Sequence, residues 1–437
     1  MMQMFKLAAL LVAFALPARA EIAIQTITSP GGISAWLVED PGIPFTALEI
    51  RFRGGTSLDA ADKRGAVNLM TALIEEGTSD LDSTGFARAR DSLAASFGFG
   101  SDEDAISVSA RFLTENREAS VDLLRRALTE PRFDQESIDR VRGQVLAGLR
   151  QDAKDPDAMA GRSLRELAFG DHPYASKGDG TEATVQALTR DDIVAAHKSA
   201  LARDRVYVAA AGDISAEDLG LLIDRLLGDL PATGADLPPR APMNLTGGIT
   251  VQDFPGPQST VVFAQGGIKR DDPDFFAASI LNEILGGGRF SARLMSEVRE
   301  KRGLTYGISS YLVGYDQAEL LMGQFSSANG TVGQAITVIR DEWRKIATDG
   351  VTEAELQATK TYLTGSYPLR FTGNGQIASI LVGMQMIGLD ADYPRTRNDK
   401  VNAVTMDDVK RVAARLFKPD ALRFLVVGQP EGIVATD

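Results

Sequence analysis

The chain reads as an α+β protein built from two homologous halves, each a mostly antiparallel sheet with helices packed on one face. Three observations predict this. A pattern of strand, glycine pair and helix recurs at a separation of about 212–219 residues. Each copy closes with a helix, a further strand and a glycine, so that strands, helices and a returning strand follow in the order an antiparallel layer needs. Between the copies, residues 230–248 hold Pro231, Pro238, Pro239 and Pro242 against Gly234, Gly247 and Gly248, the composition of an extended connector.

The elements follow in chain order. Residues 1–20 carry Lys6, an apolar run from Leu7 to Leu16 and the ending Ala18, Arg19, Ala20, which is the build of a secretory leader cleaved before Glu21. The run is about half the ~20 residues that a bilayer-spanning helix requires. Residues 21–230 form the first half. Strand 46–53 (TALEIRFR) ends at Gly54 and Gly55, and a helical apolar pattern follows over 66–74. Residues 231–248 form the connector, and residues 249–437 the second half, in which strand 260–265 (TVVFAQ) ends at Gly266 and Gly267 before a helix over 275–285. Paired long helices come next in each half, 135–153 with 157–169 and 353–369 with 376–387. Thr189 and Thr405, each followed by two aspartates, then cap helices that lead to strands 205–211 and 422–427, with Gly212 and Gly428 behind them.

Composition narrows the function classes. With 437 residues, 44% apolar and 24% charged, the chain is globular and long enough for two domains. Its formal charge is −13, or −15 without Lys6 and Arg19, which repels phosphate backbones and anionic headgroups. Neither nucleic acid nor a membrane is an expected partner. The leader implies a periplasmic location in a Gram-negative cell, with outright secretion as the alternative. The absence of cysteine excludes disulfides, a lipid-modified anchor and thiol nucleophiles. No G-x-S-x-G elbow is present, and Gly286, Gly287 and Gly288 follow a helix and lack the order of a phosphate loop.

Behind that glycine run, residues 294–306 read LMSEVREKRGLTY. Taken singly, Arg299 belongs to a charged helix end where surface ion pairs are commonplace, and Tyr306 opens a strand over 306–313. Taken with the glycine run and residues 290–294 (FSARL), the stretch resembles the substrate-binding Arg/Tyr element of the pitrilysin, insulinase and mitochondrial-processing-peptidase family. The resemblance covers about residues 22–429. It implies that Arg299 holds peptide and Tyr306 supports the oxyanion of peptide-bond hydrolysis, with Gly286, Gly287 and Gly288 at the substrate. Arg302 is the substitute if the register is displaced by one turn.

The same resemblance implies an inverted zinc motif H-x-x-E-H in the first half and a further Glu some seventy residues on. Residues 65–78 (GAVNLMTALIEEGT) place Asn68, Thr71 and Ala72 at the motif positions, and residues 145–156 (VLAGLRQDAKDP) place Ala147 and Gly148 at the carboxylate positions. Catalytic zinc takes three protein ligands, usually His or carboxylate; Asn is a poor ligand, Thr cannot act as a carboxylate base, and Ala and Gly have no ligating side-chain atom. His172 and His197, the two histidines of the chain, fit a turn and a helix surface or cap, and Asn282 with Glu283 is read as structural. No metal is therefore expected in this chain.

The implied function is the zinc-free subunit of a heterodimeric metallopeptidase acting on peptides or unfolded segments. A homologous H-x-x-E-H subunit would bring zinc and base, and the two chains would form the halves of a clam-shell chamber. The alternative is a non-catalytic scaffold or peptide-binding protein of the same fold.

Overall fold

The computed structural model describes residues 23–436; the expected leader over 1–20 lies outside them. The strands of the first half are β1 (Gln25–Thr28), β2 (Ser34–Glu39), β3 (Phe45–Arg53), β6 (Ser96–Ser101), β7 (Ala105–Leu113) and β8 (Val206–Gly212), with a small separate ribbon of β4 (Gly77–Thr78) and β5 (Leu81–Asp82). The six form one sheet in the order β1-β2-β8-β3-β7-β6. All pairings in it are antiparallel except β2 with β8. The second half has five strands, β9 (Gly248–Asp253), β10 (Gln258–Gly266), β11 (Ile308–Gly314), β12 (Glu319–Ala328) and β13 (Arg423–Gly428), in the order β11-β12-β10-β13-β9. Here too one pair alone is parallel, β9 with β13.

Each sheet buries one face against helices of its own half. In the first half these are α1 (Ala66–Leu73), α2 (Ser83–Ser92), α3 (Arg117–Thr129), α4 (Gln135–Asp152), α6 (Glu182–Ala187), α7 (Arg190–Ala200) and α8 (Ala216–Leu227), with α5 (Pro156–Phe169) leaving the group. Leu48, Ile50 and Phe52 alternate along β3 into that core. In the second half the helices are α9 (Phe275–Gly286), α10 (Val332–Asp349), α11 (Glu353–Ser366), α13 (Tyr393–Ala403) and α14 (Met406–Leu416), while α12 (Asn374–Met386) leaves in turn. Trp343 of α10 packs edge-on to Phe263 of β10 and donates its indole N–H to Gln265 at 2.9 Å, so its polar atom is satisfied inside the core. Thr189 and Thr405 close capping boxes with Asp192 and Asp408, which is why two aspartates follow each threonine.

The two departing helices are exchanged. Ala160 and Leu164 of α5 pack on Val262 and Ala264 of β10 and on Leu425 and Val427 of β13, covering the outer face of the second sheet. Leu381 and Val382 of α12 pack with Trp36 and Ala209, and Ala378 packs with Ala47 and Ala211, on the outer face of the first sheet. Gln385 of α12 also donates to the carbonyl of Val208 at 2.8 Å. Alanines at 47, 209 and 211 leave room for a helix to lie close.

The halves also meet at the tips of two equivalent hairpins. The Asp316 amide, between β11 and β12, donates to the Asp104 carboxylate between β6 and β7 at 3.0 Å, and Arg53 pairs with Asp316 at 3.2 Å. Tyr174, 1% exposed, donates its hydroxyl to Asp104 and accepts from the Gln317 amide at 3.1 Å. The connector forms no regular element and is pinned across this junction. Pro239 bonds to the His172 ring, the Ala241 amide to Gln317 and the Asn244 amide to Ala168, all at 2.9 Å.

Two expectations need correction. The strand predicted from Tyr306 starts at Ile308, because Thr305 turns its hydroxyl onto the carbonyls of Gly307 and Ser326 and bends the chain outward there. His197 is no surface residue. It is 8% exposed, bonds the Leu128 carbonyl at 2.8 Å, stands edge-on to Phe133, and burial holds its imidazole below the ordinary histidine value.

Candidate functional site

The positions of the expected zinc motif are built as ordinary helix. Asp59 accepts the amides of Gly65 and Val67 at 2.8 and 3.0 Å, which fixes the start of α1 and the register of its later residues. Thr71 is buried and bonds back to the Val67 carbonyl at 2.8 Å, Ala72 is exposed, and Asn68 receives the Ser101 hydroxyl at 3.5 Å. Helix α4 packs against α1, with Leu146 and Leu149 turned inward and Ala147 and Gly148 exposed. An amide oxygen, a hydroxyl already used by its own helix, two alanine methyls and a glycine do not fit zinc. Among the described residues no group of three or more His, Cys, Asp or Glu is placed to hold a metal. None of their helices is long and apolar enough to cross a membrane.

The second half builds a surface around the glycine run. Gly286 ends α9 where a side chain would stand 2.4 Å from the Ser310 hydroxyl, and at Gly287 one would stand 2.2 Å from the Glu283 carboxylate. Gly288 has φ +82° and open space beside it, so there the backbone angle favours glycine. Asn282 ties α9 to β11, giving its amide to the Ser310 carbonyl at 3.1 Å and accepting the Ser310 hydroxyl at 2.9 Å. Glu283 takes Arg289 at 2.8 Å, and the guanidinium of Arg289 continues to Thr359 at 3.2 Å and over the Tyr362 ring at 4.3 Å.

Residues Met295–Glu300 are wound as a π-helix, with the Lys301 amide reaching back five residues to Ser296 at 3.0 Å. Such turns occur mostly as isolated features and often at functional sites. Arg299 lies within it, half-buried, with its guanidinium 4.9 Å from the Phe290 ring centre. Arg302, the substitute for Arg299, is occupied: it donates to both the carbonyl and the carboxylate of Glu297 at 2.7 Å. Lys301 and then Arg302 hold the Glu297 carboxyl below the usual carboxylate range. Tyr306 is 89% exposed at the outward bend before β11. The structure thus gathers Gly286, Gly287, Gly288, Phe290 and Arg299 around one end of α9, with Tyr306 close by in the chain. Asn68, Thr71, Ala72, Ala147 and Gly148 belong to the other half.

Sequence patterns did not reveal the anchoring of this surface by Glu283, Arg289 and Thr359. The signal available was an acid six residues before an arginine, across the glycine run.

Known proteins resemble this chain over most of its length. Residues 35–181 match the model of the insulinase family, peptidase family M16, and residues 187–363 match that of the peptidase M16 inactive domain. A crystal structure of a peptidase M16 inactive domain from Pseudomonas fluorescens superposes with a TM-score of 0.87 at 30% identity, covering 95% of this chain and 99% of that one. A non-peptidase homolog YmxG from Helicobacter pylori is 24% identical, over 88% of this chain and 89% of its own. The probable mitochondrial-processing peptidase subunit beta of Schizosaccharomyces pombe is 22% identical, over 94% and 92% respectively.

Proposed function

We infer the function of this chain from one premise: it belongs to peptidase family M16, the insulinase family. By its donor set it is of the catalytically inactive type within that family. Our reading is that it is the zinc-free subunit of an exported two-chain peptidase. A homologous H-x-x-E-H subunit supplies the metal, which activates water, together with the general base. This chain supplies Arg299 to hold an extended peptide and Tyr306 to donate a hydrogen bond to the oxyanion. The observation that carries the reading is the contrast between the two halves. Where zinc would sit, Asn68, Thr71, Ala72, Ala147 and Gly148 offer no histidine, no carboxylate and no general base. Around α9, an arginine with uncommitted donors and an exposed tyrosine are held on a built surface.

The name of the Helicobacter relative favours a second reading, a scaffold or peptide-binding protein without any peptidase partner. One experiment separates the two. Zinc content and peptide cleavage are measured for residues 21–437 alone and after mixing with an H-x-x-E-H homologue from the same organism. Metal and cleavage only in the mixture, and loss of cleavage with Arg299→Ala, support the shared site. Cleavage unchanged by that substitution supports the scaffold. Bound zinc and cleavage by the isolated chain would overturn both readings.

A further inference from the structure

A guanidinium can be held in two ways that leave it with different capacities. Ion pairs and hydrogen bonds use up its N–H donors, whereas the face of an aromatic ring attracts the cation through the ring quadrupole and leaves the donors in the guanidinium plane free. The arginines around the glycine run are mostly of the first kind. Arg289 is committed to Glu283 and Thr359, Arg293 to Glu355 through two bonds at 2.7 and 2.8 Å, and Arg302 to Glu297. Arg299 differs. Its side chain lies over the ring of Phe290 and makes no hydrogen bond or ion pair with another described residue.

The ring itself is fixed through its neighbour. Phe290 directly follows Arg289, whose pairing with Glu283 and stacking on Tyr362 anchor the loop to α9 and α11. An exposed phenylalanine, 64% accessible, has little reason to hold this place for the stability of the core. We propose that Phe290 is a positioning residue for Arg299: its ring face fixes the guanidinium while leaving the donors free for the backbone carbonyls of an extended peptide. The inference rests on the peptide-holding role given to Arg299 above.

The test uses the full chain with isotopically labelled arginine, the Arg299 side-chain signal being assigned by its loss in Arg299→Lys. Phe290→Tyr keeps a ring face, and Phe290→Leu keeps apolar bulk without one. The Arg299 N–H proton is expected to carry the same ring-current shift in wild type and Phe290→Tyr and to lose it in Phe290→Leu. A signal indifferent to Phe290→Leu overturns the proposal, whatever the chain binds.

The second measurement is fluorescence anisotropy of a labelled, unstructured peptide of Ser, Leu and Gln. Phe290→Leu should weaken binding about 2- to 5-fold, the size of an exposed cation–π contact. Phe290→Tyr should restore it, and Phe290→Leu should have no effect in an Arg299→Ala background. An equal loss in that background overturns the proposal, because the ring would then be acting on its own. A wild-type chain that shows the ring-current shift and binds no peptide overturns the peptide-holding role instead.

Discussion

Tyr306 stands out by its exposure. A tyrosine 89% open on a bend, just before a strand whose alternate residues are buried, contributes little to its own fold and has a hydroxyl free to act on a ligand. Tyr306→Phe in the proposed two-chain complex is therefore expected to lower turnover by ~10²–10³-fold, the usual loss for one oxyanion donor, while assembly is unchanged. Steady-state kinetics and sedimentation of the same samples check both halves of that statement. Gly286 works the other way, through tightness. A methyl group there would meet the Ser310 hydroxyl at 2.4 Å and the Ser310 amide at 2.8 Å, so Gly286→Ala should destabilise the chain by about 1–3 kcal/mol in a thermal melt, as overpacking does. The glycine run and Arg299 could be singled out in the sequence because their spacing is distinctive, and the structure places them at one end of α9. The partner of the Arg299 guanidinium was not, since no pattern distinguishes an arginine that pairs with Glu297 from one that lies over a ring.

Among the elements, the capped helices and the strands ending in glycine lie where hydrophobic periodicity and threonine–aspartate pairs put them. The exchange of α5 and α12 is what periodicity concealed: α5 has one apolar face and α12 (NGQIASILVGMQM) is apolar nearly all round, and neither pattern says which sheet a helix covers. A sign was nonetheless present. Residues 206–212 (VYVAAAG) and 423–428 (RFLVVG) are nearly continuous apolar runs, the mark of strands buried on both faces, and a one-sided sheet would have alternated. Leu381 belongs to the second half in sequence and to the first in packing, where it is fully buried. Leu381→Ala should cost about 2–5 kcal/mol. Hydrogen exchange should register the loss in β2, β3 and β8; a loss confined to residues 249–436 would refute the exchange.

For the whole molecule, the meeting of the two hairpins carries a pH dependence. Burial pushes the Asp104 carboxyl up to about 6, and burial also raises its neighbour Asp316. An acid whose folded value lies above its unfolded one stabilises fully below the unfolded value, and that contribution is lost as pH rises through the folded one. Asp104 thus favours the joined halves at pH 4 and ceases to do so between about 4 and 6. Asp59 follows the same course, also at about 6 because of burial, while the depressed His197 opposes both as pH falls below its ordinary value. Comparing melting temperatures of Asp104→Asn with wild type isolates the junction. The variant should gain on wild type from about pH 4 to about pH 6 and level off above that; a constant difference would remove Asp104 as the cause.

A chain is made from its N-terminus, and the exchanged helices impose an order on what can finish first. When residues 23–230 have emerged, α5 is already present but the strands it covers, β10 and β13, are not. The outer face of the first sheet, with Trp36, Ala47, Ala209 and Ala211, stays bare until residues 374–386 arrive. Neither half can complete its burial during synthesis of the first. The nascent chain therefore carries two unfinished apolar surfaces for more than a hundred residues of elongation, from 231 to 373, so that the topology itself, and not composition, delays the closing of the first half until most of the second has been made.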